Sequence, residues 1–249
     1  MIRKITIMLL GCLCFAWTDA NAQKNHNEWA NYKKYDKANK ELSAPSKKEK
    51  RVVFMGNSIT EEWVRIHPEF FKENNYIGRG ISGQTTYQFL LRFRNDVINL
   101  KPKLVIINGG TNDVAENTGA FDIETTFGNI ASMAEIAKAN KIKVILTSVL
   151  PAAGFRWNKK ITDAPDRIEA LNAKIKAYAK ENKIPYVDYY PAMVTPERAL
   201  NPDYSKDGVH PTLEGYLVME ALIKPAIDKA LKHILIKYIN KSNHSLYAF

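Results

Sequence analysis

Ser58, Asp207 and His210 have the residue types and local surroundings that catalysis by a serine nucleophile requires. Ser58 follows the apolar run Val52–Met55 and a glycine, so we expect it at a turn from a buried strand into a helix, where a hydroxyl can meet a ligand. His210 precedes a proline, which favours an extended backbone, and Asp207 can fold back onto one ring nitrogen. The other ring nitrogen can then take a proton from a serine. Helix capping by Ser58 and a structural His210 are the alternatives that the local patterns leave open.

Two further positions can donate hydrogen bonds to a developing oxyanion. Asn112 follows Gly109 and Gly110 at the end of an apolar strand, where its amide can point into a cleft as a neutral donor. Gly83 can offer a backbone N–H to the same cleft. Because glycine and asparagine are common turn residues, an ordinary turn is the alternative at both places.

The elements that must position these residues follow from an alternation of apolar strands with helical patterns. The strands are predicted at Arg51–Met55, Tyr76–Ile81, Lys103–Asn108, Lys143–Leu150 and Tyr186–Tyr189. The helices are predicted at Asn27–Leu42, from Ser58 onward, and at Pro68–Lys72, Thr85–Leu100, Glu124–Asn140, Asp166–Lys183 and Leu213–Leu231. This alternation predicts an α/β fold, with a parallel sheet of five strands covered by helices on both faces. Ligands bind such sheets beyond the carboxyl ends of the strands, where Ser58, Gly83 and Asn112 all fall.

Other kinds of site are disfavoured by the spacing of the residues they would need. The segment Gly78–Gly83 matches the dinucleotide pattern G-x-G-x-x-G, but it lies in the second strand–helix unit, and Lys103 stands where an acidic residue should follow. The five histidines have no metal-ligand spacing, so we expect neither a cofactor nor a metal. The formal net charge of +10 comes from lysines spread along the chain rather than from a basic block, so no nucleic-acid partner is expected.

The first residues have the pattern of a secretory signal peptide. Arg3 and Lys4 precede the apolar run Ile5–Trp17, and Ala20–Ala22 is a small-residue cleavage site. The run is too short for an integral membrane span, and we expect export with cleavage before Gln23. Lipidation of Cys12, which ends a lipobox-like Leu-Leu-Gly-Cys, is the alternative. Both cysteines lie within this segment, so the mature chain has no thiol chemistry.

The predicted organisation has four parts. A signal peptide covers residues 1–22, an N-terminal helix and connector cover 23–50, the α/β domain that holds Ser58, Asp207 and His210 covers 51–235, and a patternless tail covers 236–249. The sequence does not determine the oligomeric state.

Four blocks of the chain, in order, resemble those of the SGNH or GDSL family of serine esterases and acylhydrolases. They are Gly56-Asn57-Ser58, Gly83, Gly110-Thr111-Asn112-Asp113 and Asp207 with His210. The resemblance implies a flavodoxin-like three-layer α/β/α sandwich, a Ser58–His210–Asp207 triad, and an oxyanion hole formed by the N–H groups of Ser58 and Gly83 with the Asn112 amide. The family usually has Asp where this chain has Asn57, which keeps an acceptor oxygen but loses the charge.

The expected activity is hydrolysis of short acyl esters, acetyl above all, on a small-molecule or glycan substrate. Asn57, Phe155 and Trp157 are weaker candidates for substrate contact, since both aromatics follow the fourth predicted strand and can either stack on a substrate or pack beneath the loop. One alternative is a lysophospholipase or another lipid acylhydrolase. The alternative from a different class is a carbohydrate-binding domain that keeps the fold without catalysis.

Overall fold

The structure, a computed structural model, describes residues 28–245, so the signal-peptide segment and Cys12 lie outside the described residues. Five parallel strands form one sheet in the order β2-β1-β3-β4-β5, which confirms the predicted α/β fold and is the flavodoxin-like order. The strands are β1 Val52–Gly56, β2 Tyr76–Gly80, β3 Leu104–Ile107, β4 Lys143–Thr147 and β5 Tyr186–Val187.

Helices cover both faces of the sheet. They are α1 Lys33–Glu41, α2 Ser58–Ile66, α3 Pro68–Asn74, α4 Thr86–Asp96, a 3₁₀ turn Ile98–Leu100, α5 Thr111–Val114, α6 Ile123–Ala139, α7 Ala164–Glu181, α8 Tyr190–Met193 and α9 Leu213–Ser245. Within residues 28–245, none of these helices combines the length and the apolar character needed to cross a bilayer.

The central strands are apolar throughout because both of their faces are buried. Val53 and Val105 pair in register and point into one core, which they share with α4, α6 and α7. Phe54 and Ile106 pair in the same way and point into the other core, which α2, α3 and α9 cover. Since side chains alternate between the faces of a strand, β1 and β3 each supply both cores, and the sequence shows them as continuous apolar runs.

Several predicted boundaries are wrong, each for a local reason. The fourth strand ends at Thr147 rather than Leu150 because both backbone polar groups of Val149 bond to the side chain of Asn172 instead of a neighbouring strand. The helix predicted for Thr85–Leu100 breaks at Val97, which is not in a helical conformation.

The helices at the two ends of the chain also differ from the predictions. In the first, Asn31 adopts a left-handed conformation and interrupts the helix predicted for Asn27–Leu42. The last helix runs to Ser245 instead of ending at Leu231, since the segment that follows has no proline or glycine to stop it.

Two of the three glycines of the dinucleotide-like pattern serve helix packing. A Cβ atom on Gly80 would lie 2.3 Å from the backbone nitrogen of Glu61, and one on Gly78 would lie 2.3 Å from Cγ2 of Val64. Both contacts are with α2, the helix that begins at Ser58. The absence of side chains at these two positions therefore lets β2 approach the helix that carries the serine.

We expect Gly80→Ala to lower the free energy of unfolding by about 1–3 kcal/mol, because the contact is with backbone that cannot rotate away. The matched control is Gly128→Ala in α6, where a Cβ atom meets nothing within 4 Å. That substitution should stabilise the helix by up to about 1 kcal/mol. Urea unfolding of both variants measures the difference, and a Gly80→Ala protein as stable as the wild type would show that the contact is not restrictive.

Candidate active site

The structure brings Ser58, His210 and Asp207 into one hydrogen-bonded line. Oγ of Ser58 lies 2.9 Å from Nε2 of His210, although the two residues are 152 positions apart in the chain. Nδ1 of the same ring lies 2.7 Å from Oδ2 of Asp207. The hydroxyl and the ring face an open cleft of about 520 Å³. A nucleophile, a base that can take its proton, and a carboxylate that orients the base are therefore in hydrogen-bond contact.

Ser58 is held at the first turn of α2 by the residue before it. Oδ1 of Asn57 accepts the backbone N–H of Ile59 at 3.0 Å, so Asn57 caps the helix. Its side chain is 1 % exposed. Asn57 therefore does not reach the cleft, and the expectation that it contacts substrate is corrected to a role in fixing the nucleophile turn.

The loop before α9 fixes the orientation of His210. Oδ1 of Asp207 accepts the backbone N–H groups of Val209 at 2.9 Å and of His210 at 2.8 Å, while Oδ2 faces the ring. Gly208 permits this tight turn with a φ of +79°. Burial acts to raise the pKa of Asp207, but these hydrogen bonds and the nearby imidazole outweigh it and lower the pKa to about 2. Asp207 is consequently ionised at any pH near neutrality.

Ser205 is a residue of this loop that the sequence reasoning missed. Its hydroxyl donates to the carbonyl of His210 at 2.8 Å and accepts the N–H of Gly208 at 3.0 Å. It is 4 % exposed. The sequence shows only a serine two residues before an acidic residue, in a loop of turn-forming residues. This pattern is too common to identify Ser205 as a functional residue.

Both oxyanion candidates, Gly83 and Asn112, line the same cleft as Ser58. Nδ2 of Asn112 donates one hydrogen bond to the carbonyl of Gln84 at 2.9 Å, and an amide nitrogen carries a second hydrogen. The neighbouring Ser82 is fixed by Glu61, whose carboxylate accepts the Ser82 backbone N–H at 2.7 Å and its hydroxyl at 2.6 Å. Gly83 adopts a φ of +77°, which favours glycine at this point of the loop.

Arg92, which is fully buried, lies beneath these loops and was also missed from the sequence. Its guanidinium donates to the carbonyl of Gly56 at 2.9 Å, to that of Arg79 at 3.0 Å and to Oε1 of Gln84 at 2.6 Å. Asp96 supplies the opposite charge at 2.9 Å. Burial lowers the pKa of Arg92, and Asp96 acts against that effect. The available signal was an arginine with an acidic residue four positions later, on the apolar face of a predicted helix.

Asp113, next to Asn112, is a buried carboxylate that supports the site from below. It accepts the backbone N–H of Thr86 at 3.1 Å and the Thr86 hydroxyl at 2.6 Å, which joins α5 to α4. Burial raises the pKa of Asp113 to about 6, although the Thr86 hydrogen bonds oppose the rise.

The two aromatic candidates differ in position. Trp157 is 48 % exposed and lines the cleft, with its ring centroid 6.3 Å from that of His210 and its Nε1 bonded to Asn117 at 2.8 Å. Phe155 is 3 % exposed and belongs to the core beneath the loop. The expectation of substrate contact is therefore corrected for Phe155, because its ring has no free face.

The cleft lining combines hydroxyl, amide, carboxylate, imidazole and indole groups. The lining residues are Ser58, Glu62, Ser82, Gly83, Asn112, Asn117, Trp157, Asp207 and His210. Within the described part of the chain, no group of three or more His, Cys, Asp or Glu side chains is arranged to hold a metal ion.

Comparison with known proteins gives a consistent result. Residues 54–218 match the model of the GDSL-like lipase/acylhydrolase family. The structure superposes with a TM-score of 0.81 on a GDSL-like lipase of Bacteroides thetaiotaomicron, which is 72 % identical, with 81 % of this chain and 99 % of that one covered.

Two sequence relatives come from Pseudomonas aeruginosa and Bacillus subtilis. Esterase TesA of Pseudomonas aeruginosa is 26 % identical over 163 residues, which is 64 % of this chain and 74 % of the esterase. The uncharacterised lipoprotein YqeF of Bacillus subtilis is 34 % identical over 95 residues, a match that spans 36 % of this chain and 39 % of the lipoprotein.

Proposed function

Since the chain belongs to the GDSL-like lipase/acylhydrolase family of ester hydrolases, we propose that it is an exported serine esterase that removes short acyl groups, acetyl above all, from a carbohydrate or a similar polar alcohol. The observation that carries the proposal is the 2.9 Å contact between the Ser58 hydroxyl and His210, whose other nitrogen faces Asp207 at 2.7 Å. The contact lies at the surface of an open cleft, where an ester can reach it.

In the first half of the reaction, His210 takes the Ser58 proton while Oγ attacks the ester carbonyl. Asp207 stays ionised and stabilises the imidazolium that forms. The imidazolium then gives its proton to the alcohol oxygen as the carbon–oxygen bond of the ester breaks, and an acyl group remains on Ser58. Water, activated by His210, attacks this acyl-enzyme and releases the carboxylic acid by the reverse proton path.

The tetrahedral intermediates in both halves of the reaction carry a negatively charged oxygen. The N–H groups of Ser58 and Gly83 and the second amide hydrogen of Asn112 are the proposed donors to it. This assignment is supported by the presence of all three residues in one lining and by the bonds that fix them: Asn57 caps the turn of Ser58, and Glu61 holds the loop before Gly83.

A short acyl group is favoured because the cleft lining has few large apolar side chains. Its lining has one large apolar side chain, Trp157, and otherwise small, amide, carboxylate and imidazole groups. A long acyl chain gains about 0.8 kcal/mol for each methylene that it buries, but only where apolar walls can receive it. A lipid substrate is therefore the weaker candidate.

The proposal of export is supported by the N-terminal sequence pattern and by one relative. We assign residues 1–22 to a signal peptide, 23–50 to an N-terminal helix and connector, 51–235 to the hydrolase domain and 236–249 to a tail. The Bacillus subtilis relative is a lipoprotein by name, which is in keeping with export and also with the alternative of lipidation at Cys12.

We expect Ser58→Ala to lower kcat for p-nitrophenyl acetate by about 10³-fold or more, because the acyl-enzyme cannot form. A fluorophosphonate probe should label the wild type but not this variant. The control is Ser132→Ala, on α6, which should keep both activity and labelling. Turnover by a folded Ser58→Ala protein at the wild-type rate would disprove the assignment of the nucleophile.

We expect kcat/KM for p-nitrophenyl esters to be highest at acetate or butyrate and to fall for octanoate and palmitate. The physical reason is that, in the described part of the chain, Trp157 is the one large apolar side chain of the cleft lining against which added methylene groups could be buried. A maximum at octanoate or beyond would contradict the short-acyl proposal and favour the lipid acylhydrolase.

We expect the protein recovered from its native host to begin at Gln23 and to carry no lipid. Intact mass measurement decides this, and Cys12→Ala is the matched control, since it should give a mature protein of the same mass. A mass that includes a lipidated Cys12 would establish the lipoprotein alternative, and retention of Met1 would refute export.

A further inference from the structure

We propose that a second cavity beside the cleft is a binding subsite for a neutral sugar unit of the substrate, an inference that rests on the proposed function. The cavity has a volume of about 210 Å³. Trp29, Tyr87 and Phe121 give it aromatic walls, and Thr118, Gly119 and Thr126 complete most of the lining.

The two cavities adjoin each other through neighbouring residues. Asn112 lines the cleft and Asp113 lines the second cavity, and the same is true of Asn117 and Thr118. Consecutive Cα atoms are about 3.8 Å apart, so the two linings meet along the backbone at residues 112–113 and 117–118. The proposed substrate, a chain of sugars with its acyl group at Ser58, extends across this shared backbone.

The exposed aromatic side chains of the described residues are concentrated in these two places. Three are exposed: Trp29 at 40 %, Tyr87 at 37 % and Trp157 at 48 %. Trp157 lines the cleft, and the other two line the second cavity. Exposed aromatic side chains that line neighbouring cavities are typical of a ligand-binding surface.

The position of Trp29 is fixed by buried polar side chains. Nε2 of Gln88 donates to the carbonyl of Trp29 at 2.8 Å, and Nε2 of Gln84 donates to that of Ala30 at 3.0 Å. The two glutamines are 8 % and 3 % exposed. Gln84 also accepts the Asn112 amide through its backbone carbonyl. Gln84 thus contacts both Ala30, the residue after Trp29, and Asn112, one proposed oxyanion donor.

The chemistry of the lining favours a neutral sugar. One face of a pyranose ring presents C–H groups that pack on the electron-rich face of an aromatic ring, while the hydroxyls at its edge can bond to the exposed Thr118. The lining contains no lysine or arginine, which an anionic sugar would need. Its one carboxylate, Asp113, is 4 % exposed and already accepts hydrogen bonds from Thr86.

The test compares an acetylated oligosaccharide with a substrate that has no sugar. The ratio of kcat/KM for acetylated xylotetraose to that for p-nitrophenyl acetate should fall about tenfold or more in Trp29→Ala and in Tyr87→Ala, through a higher KM for the oligosaccharide. The matched control is Leu91→Ala, an equally exposed residue one turn after Tyr87 that lines neither cavity. It should leave the ratio unchanged.

A binding measurement separates failure of the subsite from failure of the proposed function. Calorimetry of Ser58→Ala with unacetylated xylo-, manno- and cello-tetraose needs no turnover, and at least one sugar should bind and be weakened about tenfold by Trp29→Ala. No binding of any of the three at about 10 mM, or equal binding with and without Trp29, would overturn the subsite even if the wild type hydrolyses p-nitrophenyl acetate. If sugars bind but no ester is hydrolysed, the subsite stands and the proposed esterase activity fails.

Discussion

The buried guanidinium of Arg92 is the interaction on which the geometry of the cleft depends. It holds the carbonyls at the ends of β1 and β2 and the side chain of Gln84, so the loops that follow these two strands cannot move independently. A buried charge is costly unless all of its hydrogen bonds are made, and Asp96 supplies the opposite charge. The need to satisfy Arg92 therefore fixes the distance between the serine turn and the Gly83 loop.

The parallel sheet supplies the second constraint, since every site loop after a strand lies at the same edge. His210 is different, because it comes from the loop before α9 rather than from a strand end. The fold controls its distance from Ser58 through Tyr216, whose hydroxyl donates to the carbonyl of Ile59 at 2.8 Å and whose ring stacks on Trp63 at 5.4 Å. Tyr216 and Ile59, which are close in sequence to His210 and Ser58, thus tie α9 to α2.

The sequence could predict those features whose evidence lies within a short stretch of the chain. The apolar runs of β1 and β3 predicted the sheet. A strand buried on both faces appears as a continuous apolar segment, which can be recognised without knowing which strands lie beside it. The end of β4 was predicted wrongly because Val149 bonds to the side chain of Asn172 instead of to a neighbouring strand. Asn172 is 23 positions away, so the sequence around β4 gives no sign of this bond. Arg92 was missed for the same reason, since it bonds to the carbonyl of Gly56, 36 positions away. Ser205 was missed although its partners are local, because a serine in a loop of turn-forming residues is too common to single out.

Asn57 holds the turn of Ser58 in place without the negative charge of the Asp that the family resemblance leads one to expect at this position. Capping needs only an acceptor oxygen, and Oδ1 of Asn57 provides one for the N–H of Ile59 at 3.0 Å. A carboxylate at this site, 1 % exposed, would lose nearly all of its hydration. It would also place a negative charge beside the N–H of Ser58, which is a proposed donor to the oxyanion. The neutral amide keeps the geometry of the turn and leaves the positive end of α2 to act on the developing charge.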